Sequence, residues 1–478
     1  MKQMCIIGAG PAGLAALKSV LDCKAGNWRP IVFESREEVG GVWFPSPADA
    51  ADPPLTPLYD SLTANLPHPL MGYRSFLFPP ETPLFPKAEV VHQYLKDFTS
   101  HFSLRPHIKF STSVTSVKFT PEQSRRWLVE TSTQDSYYFD LIMVCTGHFR
   151  FPLYPSIPGI SDWLEAKKAS HSVYYRHPLP IHKDKTILVV GTGPSGVDLA
   201  RDLHEFGCKV LLSGSANNLS VTLPSSIQHR PHLASLDSPS DGIATYTDGT
   251  MDKGIDYCFL ATGYKLHFPF LQPPLLQNTY PKPIPPLPSE LYNSSYSLFP
   301  LAQHLWPLQN QYPPESIVFF GLIVKLAPLP VYEAQARAVL HAFHIFDSGI
   351  EEGTGARGID EQTEAVDIVT RWEYLKQMHK GDERNVIKFW HQFEETEQFA
   401  YRDHLAGFVQ KDPSRVEDWE YEAYQKKILL RTTWVKIEKS GQADKWLKDV
   451  GKGGLKDWKA LMKEVIKYGE ENEDKTRL

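Results

Sequence analysis

Gly8, Gly10 and Gly13 form a GxGxxG pattern between a short apolar run at 4–7 and a helical pattern from Ala12 to Leu21. That strand, turn and helix setting gives each glycine a task. The first permits the tight turn, the second lets a pyrophosphate approach the backbone, and the third allows the helix to pack closely on the strand. The helix N-terminus, at Pro11 and Ala12, attracts the anion. A second strand from Pro30 to Glu34 ends in a carboxylate that can accept from ribose hydroxyls, which suits FAD or NAD and repels a 2′-phosphate. Gly191, Gly193 and Gly196 repeat the pattern, with Pro194 and Ser195 opening the next helix. At the position equivalent to Glu34 this second copy offers Ser213 and Ser215, so hydroxyls replace the carboxylate and NADPH is favoured over NADH. Arg230, in the following stretch, has the right charge for a 2′-phosphate but reads more simply as an exposed loop arginine. Two dinucleotides are expected, FAD and NADPH.

A flavin and a nicotinamide cofactor in one chain mean hydride transfer to the flavin, after which electrons pass to a disulfide, a quinone or oxygen. Disulfide reductases need a cysteine pair near the flavin, and Cys5, Cys23, Cys145, Cys208 and Cys258 include no CxxC. Oxygen becomes the leading acceptor. The same cysteines suggest neither a disulfide framework nor a metal site, and they fit a reducing, cytoplasmic setting.

The elements that must hold these residues repeat. Each cycle runs strand, helix, strand: 4–7, 12–21 and 30–34, then, beginning after Lys185, 186–191, 194–206 and 209–212. Each closes in an apolar strand followed by Thr-Gly, at Thr146-Gly147 and Thr262-Gly263, and these pairs are placed with the cofactor sites. Segments 113–119, 126–132 and 137–145 suggest a meander, while the proline-rich stretch 45–86 reads as a long functional loop. Residues 269–290 are dense in proline and mark a linker or surface wrap. A strand at 317–321 and a helix at 331–343 follow, and the remainder is helical. There Leu455, Trp458, Leu461, Met462, Val465 and Ile466 make one apolar stripe, read as packing on the chain's own core. The fold class is α/β, with two Rossmann-like dinucleotide-binding domains and a helical C-terminal region. An FAD domain is expected at 1–178 and 262–345, with an inserted NADPH domain at 179–261 and the helical region at 346–478.

Composition sets the outer limits. The 478 residues are 42% apolar and 22% charged, ordinary for a globular protein and too apolar for a disordered one. A net charge of −6 gives no general attraction to nucleic acid or anionic lipid. The N-terminal run ends in glycines, unlike a signal peptide, and no apolar stretch reaches the ~18 residues that span a bilayer. Asn218 and Asn293 match the glycosylation pattern by chance.

From residue 4 to about 345 the chain resembles the flavin-containing monooxygenases, a family within the class B flavoprotein monooxygenases. Beyond the two glycine motifs, the likeness rests on Gly40-Gly41-Val42-Trp43, Leu62-Thr-Ala-Asn65-Leu-Pro67, Met71-Gly-Tyr73, His171-Ser-Val-Tyr-Tyr175-Arg176, Ala261-Thr-Gly-Tyr264 and Gln335-Ala-Arg337. Of the fingerprint FxGxxxHxxx(Y/F), His171 and Tyr175 fit, whereas Glu165 and Lys167 replace Phe and Gly. The resemblance implies that NADPH reduces FAD and that oxygen adds at flavin C4a to give a hydroperoxide, which hands its distal oxygen to a soft nitrogen or sulfur nucleophile. It would be an N,N-dimethylaniline monooxygenase-like activity. It implies Asn65 at the flavin as the one catalytic residue, Gly41 and Trp43 packed near FAD, Gln335 at the pyrimidine end of the flavin, and His171 as a domain-coupling residue. Tyr175 stands where Baeyer-Villiger relatives have Trp, which leans against ketone insertion. The alternatives are a Baeyer-Villiger enzyme acting on ketones and an NADPH oxidase or flavin reductase that releases hydrogen peroxide. Partners are molecular oxygen and a small nucleophile; no membrane anchor is expected, and a homo-oligomer is compatible with the sequence.

Overall fold

Met4, Cys5, Ile6 and Ile7 are buried, and they form the middle strand of a five-stranded parallel sheet. In the computed structural model the order is Ile317–Phe319, Leu141–Val144, Lys2–Ile7, Trp28–Phe33 and Ile108–Lys109. The structure describes residues 1–23, 26–122, 126–215, 223–278, 284–348 and 358–473. Parallel strands covered on both faces read as continuous apolar runs, and Leu141–Val144 is buried at every position. Pro11 opens the following helix, Pro11–Asp22, where a missing N–H costs nothing. The expected meander pairs antiparallel as Val114–Thr120, Arg126–Thr131 and Ser136–Phe139, and its third segment splits at Asp140, after which Leu141–Val144 joins the parallel sheet.

Two compact units divide the chain. The first comprises Met1–Phe44, Ala64–His148 and Leu266–Leu478; the second comprises Pro45–Thr63 and Phe149–Lys265. The second has its own five-stranded parallel sheet, ordered Gln228–Arg230, Lys209–Ser213, Thr186–Val190, Tyr257–Leu260 and Ala169–His171. Both sheets follow one plan. The strand before the glycine turn lies in the middle, the next strand and one more lie to one side, and the Thr-Gly strand with an outer strand lies to the other. Only the source of the outer strand differs: Ile317–Phe319 comes late in the first unit, whereas Ala169–His171 comes early in the second.

The unit boundaries differ from the expected 178/179 and 261/262 for a physical reason. Ala169–His171 pairs with Tyr257–Leu260, and Phe151–Pro152 with Tyr264–Lys265, which draws the stretch from Phe149 onward into the second unit. The expected separate region at 346–478 shares one core with the first sheet: Leu14 and Leu17 belong to the same buried cluster as Trp372, Trp434 and Trp458. In the C-terminal helix Leu455–Glu473, the stripe residues Trp458, Leu461, Met462, Val465 and Ile466 are buried, with Trp458 against the His68 ring at 4.3 Å. That face packs on the chain's own core, as expected. Asn293 is buried and its amide donates to the Leu266 carbonyl at 3.1 Å, so it is no exposed sugar acceptor, and Asn218 lies outside the described residues.

Candidate functional site

The first cradle is built from backbone contacts that exclude a side chain. Gly8 has φ +104°, and a Cβ on it would meet the Cys145 carbonyl oxygen at 2.7 Å; a Cβ on Gly13 would meet the Gly8 oxygen at 1.9 Å. Gly10 and Gly41 face each other, since a Cβ on Gly41 would lie 2.8 Å from the Gly10 Cα. The Ala9 N–H donates to Glu34 Oε2 at 2.7 Å and the Arg36 N–H donates to Oε1 at 2.9 Å. Burial raises the Glu34 pKa, while these amide bonds pull it down. Glu34 therefore ties the glycine loop to the end of the second strand, and its carboxylate keeps lone pairs for a ribose. Arg36, which carried no signal in the sequence, donates to the carbonyls of Gly41 at 3.2 Å and Phe44 at 2.7 Å, fixing the turn that presents half-buried Trp43. Thr146 and Gly147 lie exposed at the end of Leu141–Val144, and nothing stands within 4 Å of where a Gly147 Cβ would be.

Asn65 is exposed in the same unit. Its neighbours are held: the Ala64 N–H donates to the Pro86 carbonyl at 2.8 Å and the His68 N–H to the Leu84 carbonyl at 2.9 Å. Tyr73, buried, donates its hydroxyl to the Pro11 carbonyl at 2.5 Å. Gln335 is fully buried. Its carbonyl accepts from the Gly321 N–H at 3.4 Å and its amide donates to the Tyr401 hydroxyl at 3.1 Å, so it braces a turn where a direct flavin contact was expected. Arg337 is exposed on the same helix, Pro328–Ser348.

The second cradle repeats the first atom for atom at two positions. A Cβ on Gly191, φ +117°, would meet the Ala261 oxygen at 2.2 Å, and one on Gly196 would meet the Gly191 oxygen at 1.9 Å. Gly193 is exposed, with nothing within 4 Å of its would-be Cβ, at the start of the helix Pro194–Glu205. Open space over a helix N-terminus is what a pyrophosphate needs. Pro194 is exposed and Ser195 half-buried in that first turn.

Ser213 departs from its expected role as a ribose or phosphate contact. It is fully buried and its hydroxyl donates to the Pro231 carbonyl at 2.6 Å, so the group is spent inside the fold. Ser215 is half-buried beyond the strand end. Arg230 lies on a strand, in register with Ser213, and pairs with Asp252 through two contacts, 2.6 and 3.1 Å.

Thr262 donates to the Leu153 carbonyl at 2.6 Å, and the Gly263 carbonyl lies 2.9 Å from His171 Nε2. Because His171 Nδ1 accepts from the Val173 N–H at 3.1 Å, the ring proton is on Nε2 and donates to Gly263. Burial lowers this histidine to about 4, so the ring is neutral and serves as a brace. Tyr175 is buried and donates to Asp202 at 3.2 Å on the helix of the second cradle.

Among the described residues, no group of three or more His, Cys, Asp or Glu is placed to hold a metal, and all five cysteines are free. No described helix is long and apolar enough to cross a membrane.

Residues 1–222 match the family profile described as "FMO-like: Flavin-binding monooxygenase-like". The chain is similar to the flavin-containing monooxygenase GS-OX-like 9 of Arabidopsis thaliana, 28% identical over 87% of this chain and 88% of the relative. It is 30% identical to the thiol-specific monooxygenase of Saccharomyces cerevisiae over 72% of this chain and 77% of that one. The solved structure of S-allyl-L-cysteine S-oxygenase from Allium sativum superposes with a TM-score of 0.70 at 23% identity, covering 90% and 93% of the two chains, and so shares the fold. The expectation of FAD and NADPH agrees with this kinship and with a pair of like-built glycine cradles. The chain belongs to the flavin-containing monooxygenase family.

Proposed function

We propose that this protein is an NADPH-dependent monooxygenase that oxygenates a soft nucleophile, with the sulfur of a thiol or thioether as the first choice and nitrogen as the second. The first unit would hold FAD and the second NADPH. The observation that carries the reading is the twofold cradle: Gly8 and Gly13 in the turn and helix that follow one sheet's middle strand, Gly191 and Gly196 in those that follow the other's, with the Glu34 carboxylate closing the first and the Ser213 hydroxyl turned inward beside the second. The sulfur preference draws its support from the thiol-specific relative in yeast.

The bound flavin supplies the activation of oxygen with electrons from NADPH. The protein's part is positional. Glu34 and the glycine turn orient the first dinucleotide, and the helix N-terminus at Pro194 draws the second pyrophosphate. The Asn65 amide offers a donor and an acceptor from an exposed position. A thiolate or thioether is already nucleophilic, so access matters more than a general base, and neutral His171 is committed to Gly263.

The test is the product made per NADPH by the holoenzyme on a thioether, a thiol, a tertiary amine and a ketone. An oxygenated sulfur product is expected. Hydrogen peroxide equal to all NADPH consumed, or an ester from the ketone, would overturn the reading. In Asn65→Ala, FAD and NADPH consumption should persist while product falls at least tenfold; undiminished product removes Asn65 from the site.

A further inference from the structure

The segment that carries Asn65 is gripped from the C-terminal helices. Arg431, on the helix Lys427–Lys439, donates from Nη1 to the carbonyl oxygen of Ala64. Its guanidinium stands 5.5 Å from the ring of buried Phe85. The Ala64 carbonyl belongs to the same planar peptide unit as the Asn65 N–H, so fixing that oxygen fixes the Asn65 Cα. On the other side Leu66 and Pro67 are buried, and a residue before proline is restricted to extended backbone. An exposed polar side chain thus stands on a backbone immobilised in both directions.

The far end of the segment is held by the same helical layer. Arg74 donates to the carbonyls of Pro69 at 2.7 Å and Leu70 at 3.3 Å, and it pairs at 2.6 Å with Glu420, which is buried and also bound by Arg402 at 2.5 Å. The Glu333 carboxylate accepts the backbone N–H groups of Arg74 at 2.7 Å and Ser75 at 3.2 Å. A fork of fixed donors, rather than a flexible ammonium, suits a task in which one carbonyl must be held in one place.

We propose that Arg431 is a positioning residue for oxygenation: it sets the peptide from which the Asn65 amide projects, and this is one function of the C-terminal helices. The inference rests on the reading of Asn65 given above. A catalytic contact held about 1 Å out of place can cost on the order of a hundredfold in rate.

The experiment compares R431M, which keeps an apolar stem against Phe85 but loses the donor, with R431K and Asn65→Ala. Two readouts are taken. Amide hydrogen exchange of the cofactor-free protein should quicken at least tenfold in peptides covering 64–67 of R431M, with peptides covering 8–13 unchanged. In the holoenzyme, R431M should retain FAD and the KM for NADPH, divert electrons to hydrogen peroxide and lose product at least fivefold, and R431K should recover part of it. Unchanged exchange at 64–67, or unchanged product in R431M while Asn65→Ala loses it, overturns the proposal. If Asn65→Ala itself keeps full product, the role of Asn65 fails and the positioning role falls with it, whereas the exchange data still report whether Arg431 holds the peptide. Should R431M not fold, R431K is read by the same two measurements, and wild-type values in both overturn the proposal.

Discussion

The hydroxyl of Tyr73 donates to the carbonyl oxygen of Pro11 at 2.5 Å, joining the segment that bears Asn65 to the first turn of the helix that opens the first glycine cradle. Tyr73 is fully buried, and burial raises its pKa far above the usual phenol range, so it donates at any working pH. Tyr73→Phe keeps the ring and removes this bond. A neutral hydrogen bond contributes about 1 kcal/mol, so the FAD dissociation constant should rise on the order of fivefold, measured by flavin fluorescence titration. An unchanged constant would make Tyr73 a packing residue alone.

Two glycines three residues apart should respond in opposite ways. Gly193→Ala meets no atom within 4 Å, whereas Gly196→Ala drives a Cβ to 1.9 Å from the Gly191 oxygen. Gly193→Ala should therefore melt like the wild type and bind NADPH at least tenfold more weakly. Gly196→Ala should lose about 1–3 kcal/mol of stability through overpacking. Differential scanning calorimetry with NADPH titration separates the two, and equal melting of both variants would contradict the cradle geometry.

Acid should unfold the first unit early. His391 Nε2 accepts from the Leu298 N–H at 3.2 Å, so its Nδ1 proton donates to His304 Nδ1 at 2.9 Å and both rings are neutral. Burial, then the charge of Arg371, lowers His391 to about 3 and takes His304 well below its usual value; burial takes His68 to about 3. Unfolded histidines titrate near ~6.5. Below that pH the unfolded chain binds more protons than the folded one, so stability is present above ~6.5 and is lost as pH falls. Each such histidine contributes about 1.4 kcal/mol per pH unit between its folded and unfolded values. The urea midpoint should drop steeply from pH 6.5 to 4.5, and a flat midpoint would show that these rings charge without unfolding.

Ser213→Ala should leave the preference between NADPH and NADH unchanged within about twofold, because the hydroxyl is committed to Pro231. Stability should fall by about 1 kcal/mol for the lost buried bond. A changed ratio of kcat/KM for the two nucleotides would return Ser213 to the cofactor site.

The glycine turns were legible because their backbone demands leave a spaced signature that no other residue type satisfies. Gly8, Gly13, Gly191 and Gly196 occupy positions where a Cβ would strike a carbonyl oxygen. Glu34 was legible for a related reason, as it directly follows a strand beside the loop it binds. Ser213 was read from strand position alone, and what turns its hydroxyl inward is pairing with the strand at Gln228–Arg230, a contact made by a later part of the chain. Gln335 has its partner 66 residues away in Tyr401, and Arg431 reaches a carbonyl 367 residues back. No local pattern encodes such partners. The second unit's early boundary was hidden likewise, because three residues of strand, Ala169–His171, gain meaning only when Tyr257–Leu260 is alongside.

The different provenance of the two outer strands has a consequence for synthesis. As the polypeptide leaves the ribosome, every strand of the later-starting sheet has emerged once Leu260 is out, but the earlier-starting sheet still lacks its edge until Phe319 follows. The nested unit can thus mature first, while its host waits with an open edge along Leu141–Val144. A nascent chain stalled between those two points would be a half-finished host around a finished guest.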